Sequence, residues 1–311
     1  VELHHGYITA DSLPGAYTVF RVELFKGKSH FGENVTFDET LPTNYLADEV
    51  IDDNKVNELL AKKYNETIVI AEDDSEILAY LKDELSTNFR VIAVNNGYDA
   101  VKAVMDDEVS LILSDVLMPA LNGFQLCSNI KSNIATCHIP IVLLTALSDD
   151  NQRIYGIAEG ADEYIHKPFN MQYVRLKIIR IIEERKRLAS TFAQKFGRLT
   201  RHEAANLPCV DDVFRDKLFN LIEAQHSDSN FKIELMSDML GMSRILLYRK
   251  ITSIFGMSPS DLLRNYRLQK AVQLLTDQRR NVSEVAYIVG FSSPAYFAKC
   301  FKSVYNMTPT E

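Results

Sequence analysis

Four apolar runs in the middle of this 311-residue chain end on groups that could do chemistry. "TIVIA" (67–71) runs into Glu72, Asp73 and Asp74, and "SLILS" (110–114) into Asp115; "PIVLLT" (140–145) ends on Thr145, and "DEYIHKP" (162–168) carries Lys167 before Pro168. Carboxylates crowded into one crevice repel one another unless a cation neutralises them, and hard oxygen ligands in this number suit Mg²⁺ with several waters retained. A carboxylate oxygen is a competent nucleophile toward phosphorus, while a hydroxyl and an ammonium can bind the equatorial oxygens as charge redistributes. The expected chemistry is phosphoryl transfer onto Asp115. Asp74, beside Ser75, is expected as a helix cap instead.

These groups converge only if the runs are neighbouring strands. A further run, "RVIAV" (90–94), makes five, and amphipathic stretches follow each: "SEILAYLKDEL", "GYDAVKAVM", "NGFQLCSNIK", "DNQRIYGIAEG" and "MQYVRLKIIRIIEERK". Continuous apolar strands alternating with helices predict a doubly wound five-stranded parallel α/β sheet covered on both faces, with its site at the carboxyl ends of the strands.

"IAEDDSEI", "ILSDVLMPALNG", "LLTA" and "EYIHKPF" resemble the receiver domain of two-component response regulators, a flavodoxin-like fold, over residues 66–187. The resemblance implies Glu72 and Asp73 as metal-site acids with Asp115 as phosphoacceptor. It further implies Leu117 as a source of a backbone carbonyl for Mg²⁺, Thr145 as switch hydroxyl, Lys167 as phosphate partner and Tyr164 as the aromatic that turns inward on activation. The Lys167–Pro168 bond is expected to be cis. Leu117 and Leu147, flanking the path of attacking water, suggest slow hydrolysis of an aspartyl phosphate. A haloacid-dehalogenase phosphatase would want a second acid at Leu117.

The rear of the chain holds an internal repeat. "LMSDMLGMSRILLYRKITSIFGMSP" (235–259) and "EVAYIVGFSSPAYFAKCFKSVYNMTP" (284–309) each place a small residue (Ser237, Ala286) four positions before a glycine (Gly241, Gly290). That spacing is the helix-turn-helix pattern: a small residue lets two helices approach and glycine makes the turn. Residues 211–311 resemble the all-α DNA-binding domain of AraC-family activators, with motifs at about 235–255 and 284–305 and a linker helix over 259–275. A serine is more usual in the family at Ala295. Ser243, Arg244, Leu247 and Tyr248 are expected on the first recognition helix and Ser293, Tyr296 and Lys299 on the second. Arg244 is the expected base contact, with Arg249, Lys250, Lys299 and Lys302 as phosphate neutralisers. Leu240, Ile245, Leu246, Ile251, Phe297 and Phe301 are assigned to the core.

At the front, residues 1–26 read as a β-hairpin. "GAYTVF" (15–20) resembles the Gly-x-Gly-Thr-x-Phe element in the last hairpin of a histidine-kinase ATPase domain, with Tyr17 replacing the second glycine. Residues 27–65 read as an acidic linker with a short helix around "NKVNELLAKKY", and 188–210 as an interdomain linker. This order resembles hybrid two-component regulators of the Bacteroidetes type. The absence of an initiator Met, with an ending soon after Pro309, leads to the expectation of a piece of a longer polypeptide. Its expected partners are promoter DNA, a histidine kinase domain of the same polypeptide, a second copy when phosphorylated, and RNA polymerase.

Composition agrees with several soluble domains: 46% apolar and 24% charged residues, and no apolar run near the roughly 18 residues a membrane span requires. The net charge of −8 is uneven, residues 1–187 being acidic and 188–311 slightly basic. Cys127, Cys137, Cys209 and Cys300 show no zinc or disulfide spacing and are expected as reduced thiols in a cytoplasmic protein. A scaffold without phosphoryl chemistry, tethered to DNA, is the alternative function. Catalysis beyond phosphoacceptance and autodephosphorylation is not expected here, the longer polypeptide being the histidine kinase.

Overall fold

The computed structural model describes residues 7–13, 17–23, 25, 53–146, 160–196, 211–276 and 280–310. Two compact units divide at Asp52 and Asp53. In the first, β1 (Tyr7–Leu13) and β2 (Tyr17–Glu23) pair antiparallel with Ala10 opposite Phe20, forming the expected hairpin. Gly15 and Ala16 of its glycine-containing element lie outside the described residues.

The second unit opens with α1 (Asp53–Ala61), followed by β3 (Thr67–Ala71), α2 (Ser75–Ser86), β4 (Arg90–Val94), α3 (Gly97–Asp106), β5 (Leu111–Asp115), α4 (Gly123–Ser132), β6 (Ile141–Thr145), β7 (Glu163–His166) and α5 (Met171–Phe196). The strands form one parallel sheet in the order β4-β3-β5-β6-β7. The order reverses beside β3, which opens a crevice between the ends of β3 and β5.

Strand alternation feeds both faces. Ile68, Ile70, Leu111, Leu113, Val142 and Leu144 pack against α2 and α5, while Val69, Ile112, Ile141 and Leu143 pack against α3 and α4. Every residue of β5 and β6 is buried, which is why these runs are aliphatic up to the polar groups at their carboxyl ends. Asp74 caps α2 as expected, accepting from the backbone N–H of Glu76 and Ile77. The helical stretch placed at 150–160, like Leu147, falls almost wholly outside the described residues.

The short helix expected within the 27–65 linker is α1, and it is packed down. Leu59 and Leu60 join the sheet's core, Asn88 donates to the carbonyls of Leu60 and Lys62, and Tyr64 donates to Glu183 of α5.

The carboxyl-terminal region comprises α6 (Asp212–Gln225), α7 (Ile233–Leu240), α8 (Arg244–Phe255), α9 (Pro259–Thr276), α10 (Val282–Ile288) and α11 (Pro294–Tyr305). Expected turns are in place: Gly241 and Gly290 are left-handed (φ 67° and 91°), and Ser237 and Ala286 are buried between helices. Gly290 is required on two counts, because a Cβ there would also meet the His226 carbonyl oxygen at 2.1 Å.

Helix α5, the last of the sheet domain, runs on into the stretch assigned to the 188–210 linker, as far as Phe196, and Ala189, Phe192 and Phe196 are buried. Phe192 and Phe196 enter the core that holds Phe214, Phe219, Phe255 and Tyr266, with ring centroids 4.8 Å apart for Phe192–Phe255 and 5.4 Å for Phe196–Phe219. The carboxyl-terminal core is therefore completed by a helix that starts on the sheet domain. Removing a buried aromatic costs about 3–5 kcal/mol in lost burial and residual cavity. Phe192→Ala is expected to lower stability by that amount, with the transition of the carboxyl-terminal region moving most in urea unfolding followed by hydrogen exchange.

Candidate functional site

The crevice of the sheet gathers the expected groups. Asp115 closes β5, Glu72 follows β3 directly, and Thr145 closes β6; the Lys167 N–H donates to the Thr145 carbonyl at 2.7 Å, which ties the end of β7 to that of β6. The Lys167–Pro168 bond is cis. Lys167 Nζ lies 2.8 Å from Glu72 Oε2 and 3.1 Å from Asp115 Oδ2, so one ammonium bridges two nearly buried carboxylates. Asp115 Oδ1 accepts from the Val116 N–H at 2.7 Å. Asp73 stands beside them exposed to solvent.

The loop after Asp115 turns because its residues alternate in burial. Val116, Met118 and Leu121 are buried, whereas the Leu117 side chain is 57% exposed, leaving that residue only its backbone to offer the site. Ala120 takes a left-handed conformation (φ 67°) before Asn122 begins α4 with a capping box to Gln125. Gly123 packs so tightly beneath the site that a Cβ would sit 2.3 Å from the Asp115 carbonyl oxygen. Its importance was not visible in the sequence, where it reads as an ordinary turn glycine. Thr145 is buried and Tyr164 half-buried against the cluster of α3 and α4.

The charges of the crevice act on one another. Burial is the largest influence on Glu72 and raises its pKa; the Lys167 hydrogen bond pulls it back and the Asp115 carboxylate raises it again. Burial opposes the Lys167 ammonium, but its hydrogen bonds to Glu72 and Asp115 outweigh that and raise its pKa. A divalent cation fits this set. Glu72, Asp73 and Asp115 each present an oxygen within 4.8 Å of the others, and these are hard donors of the kind Mg²⁺ prefers.

The carboxyl-terminal candidates divide. Arg244 is exposed and pairs with Glu234 at 3.3 Å, and Tyr248, Tyr296, Lys299 and Lys302 are exposed as expected. Ser243 and Ser293 cap α8 and α11 through their hydroxyls, with Pro294 opening α11. Three assignments are corrected. Leu247 is wholly buried and Ile245 is 63% exposed, because the inward stripe of α8 runs through Leu247, Ile251 and Ile254, a phase that turns Ile245 outward. Lys250, expected at phosphate, is completely buried: its Nζ lies 2.6 Å from Asp211 Oδ2 and 3.2 Å from Cys137 Sγ, and it also donates to the Ile134 carbonyl. Leu240, Leu246, Ile251, Phe297 and Phe301 lie in or against the core as assigned. Cys127, Cys137 and Cys300 form no disulfide among the described residues, and Cys209 lies outside them.

Residues 68–179 match the family of response regulator receiver domains and residues 236–311 a helix-turn-helix domain. The whole chain is 35% identical to "Histidine kinase P4" of Formosa agariphila, of which it spans 23%. A stretch of 113 residues is 38% identical to the transcriptional regulatory protein GltR of Pseudomonas aeruginosa, covering 36% of this chain and 47% of that one. Among solved structures, the signal receiver domain of a histidine kinase from Syntrophus aciditrophicus is 34% identical, covers 39% of this chain and 93% of that one, and superposes with a TM-score of 0.38. The chain thus spans about a quarter of the first of these curated relatives and about half of the second.

Glu72 holds its proton more tightly in the folded chain than in the unfolded one. Without metal, the folded state therefore loses stability as pH rises above the ordinary carboxyl value of 4.5. Glu72→Gln is expected to raise the thermal midpoint in EDTA at pH 7, to lose that advantage below pH 4.5, and to abolish the stabilisation wild type gains from Mg²⁺; a scan of thermal unfolding over pH with and without the metal checks this.

Proposed function

From a chain that joins a response regulator receiver domain to a helix-turn-helix domain of the AraC type, we infer a transcription regulator controlled by phosphorylation of Asp115. The observation that carries this reading is the bridge from Lys167 to both Asp115 and Glu72 at the crevice of the sheet. Asp115 Oδ2 is the nucleophile toward a phosphoryl group supplied by a kinase histidine. Lys167 then exchanges one carboxylate contact for an oxygen of the transferred group, and Thr145 supplies a hydroxyl on the β6 side. Mg²⁺ held by Glu72, Asp73, Asp115 and the Leu117 carbonyl would neutralise charge on the phosphoryl oxygens. Tyr164 packing further inward would remodel the surface beside β7. Leucine at position 117 favours a long-lived aspartyl phosphate.

The output is DNA binding by two readers, α8 and α11, set apart by α9. Its 18 residues span about 27 Å, which with the flanking turns suits successive major-groove segments on one face of the duplex. Arg244, Tyr248, Tyr296, Lys299 and Lys302 are the exposed side chains assigned to it. Phosphorylation would act by pairing two copies, which raises effective concentration at a two-site promoter. RNA polymerase would be the target of the bound dimer.

We place this assembly at the cytoplasmic output end of a hybrid histidine kinase, by likeness to the Formosa protein and to the kinase hairpin. No helix among the described residues is long and apolar enough to cross a membrane.

Intact mass after incubation with acetyl phosphate and Mg²⁺ tests the chemistry. Wild type is expected to gain one phosphoryl group and to bind its promoter more tightly, and Asp115→Asn to do neither; unmodified wild type would favour the scaffold reading. Base and phosphate contacts separate by specificity. Arg244→Ala should cost about 1–3 kcal/mol on the cognate site and relax discrimination at one position, whereas Lys299→Ala should weaken all sequences alike and reduce the salt slope by about one. Binding titrations over a salt series distinguish the two.

A further inference from the structure

The two readers are built in one register. Ser243 caps α8 and Ser293 caps α11, each through its hydroxyl, although the turn before the second cap is one residue longer. Counted from the caps, Leu247, Lys250 and Ile251 of α8 correspond to Phe297, Cys300 and Phe301 of α11, and all six are buried. At about 3.6 residues per turn, the position opposite such a stripe is the second of each helix. It is Ile245 in α8, 63% exposed, and Ala295 in α11, also exposed. Recognition helices enter the major groove by their amino-terminal residues, so these two side chains stand where base edges are read.

Their surroundings are poor in hydrogen-bonding groups. Pro294 and Ala298 flank Ala295 on the outward side of α11, and the Ser293 hydroxyl oxygen already accepts from the Tyr296 N–H. Arg249, one turn beyond Ile245, is engaged by the sheet domain: its guanidinium donates to the carbonyls of Asp107 at 2.9 Å and Asp106 at 2.8 Å, at the end of α3. An aliphatic side chain laid on a polar base edge strips water from donors and acceptors and offers nothing in return. The apolar group that the major groove does present is the C5-methyl of thymine. One exposed aliphatic on a surface is ordinary, but here an apolar side chain holds the same outward position in both readers.

Resting on the DNA-binding reading above, we propose that Ile245 and Ala295 select thymine through its methyl group, one in each of two major-groove segments. The bound site then carries two thymines about one helical turn, roughly 10 base pairs, apart. Ile245 adds to whatever Arg244 reads beside it. Ala295 and Ala298 carry no donor, so α11 discriminates at that position by methyl contact alone.

A pool of random-sequence duplexes incubated with the 311-residue chain, with and without acetyl phosphate, yields the preferred site. Each thymine in it is then replaced in turn by deoxyuridine, which removes the methyl alone. Wild type is expected to select the two thymines and to lose about fourfold in affinity when either becomes deoxyuridine, the worth of one buried methyl, while other thymines tolerate the change. Ile245→Ala should bind equally with thymine or deoxyuridine at the first position and keep its response at the second; Ala295→Gly should do the reverse. A repeat selection with Ile245→Gln should move the first position toward adenine, whose N6 and N7 a carboxamide can bond, a gain that misfolding does not produce. Deoxyuridine tolerated by wild type throughout, or a response unchanged by Ile245→Ala, would overturn the proposal. Were no duplex retained by any form, with or without phosphodonor, the DNA-binding reading itself would fall.

Discussion

Helix α5 belongs to two hydrophobic cores, and the rest of the second unit is arranged around that constraint. Its amino-terminal half lays Val174, Ile178 and Ile182 on the sheet. Its carboxyl-terminal half gives Phe192 and Phe196 to the aromatic cluster under α8. Since Ile182, Ala189 and Phe196 are seven residues apart in turn, one stripe of a continuous helix serves both. The sheet domain and the first helix-turn-helix are thus joined by a structural element rather than by a tether.

A polar contact of a different character lies beside this apolar one. The apolar junction is buried and cannot be opened to water without losing that burial, whereas the Arg249 contacts lie at the surface, where water or phosphate can replace carbonyl oxygens at modest cost. The buried Lys250–Asp211 pair stands between them. Its desolvation is offset only while both partners, the Ile134 carbonyl and the face of the Phe214 ring remain in place. Strong, intermediate and weak contacts are graded across one interface, which lets part of it open while the remainder holds.

Much of the receiver was legible because its physics is local. Apolar runs buried on both faces must be strands between helices, and Asp115, Glu72 and Lys167 were read from the ends of those runs, where the structure places them within 3.1 Å of a shared ammonium. Asp74 as a cap and the extent of α9 were likewise carried by near neighbours in sequence, whereas the cis bond before Pro168 was implied by the family resemblance. What could not be read was long-range. Lys250 looks like any solvated lysine until Asp211 and Ile134 are brought to it from 39 and 116 residues away. Leu247 and Ile245 were exchanged because a run of three aliphatics, Ile245 to Leu247, does not by itself reveal the phase of a short helix. The aromatic spacing of Phe192 and Phe196 was present in the sequence, but the basic residues around it masked a buried stripe as linker.

A helix shared by two cores also transmits angle. Each residue added to or removed from α5 between Ile182 and Ala189 would rotate one core relative to the other by about 100° and shift it by about 1.5 Å. Most length changes there would turn Phe192 and Phe196 away from their cluster, whereas a change of seven residues would nearly restore their direction. The domains are consequently geared: a small rotation of α5 on the sheet side is delivered to the DNA-reading side as the same rotation, without slack.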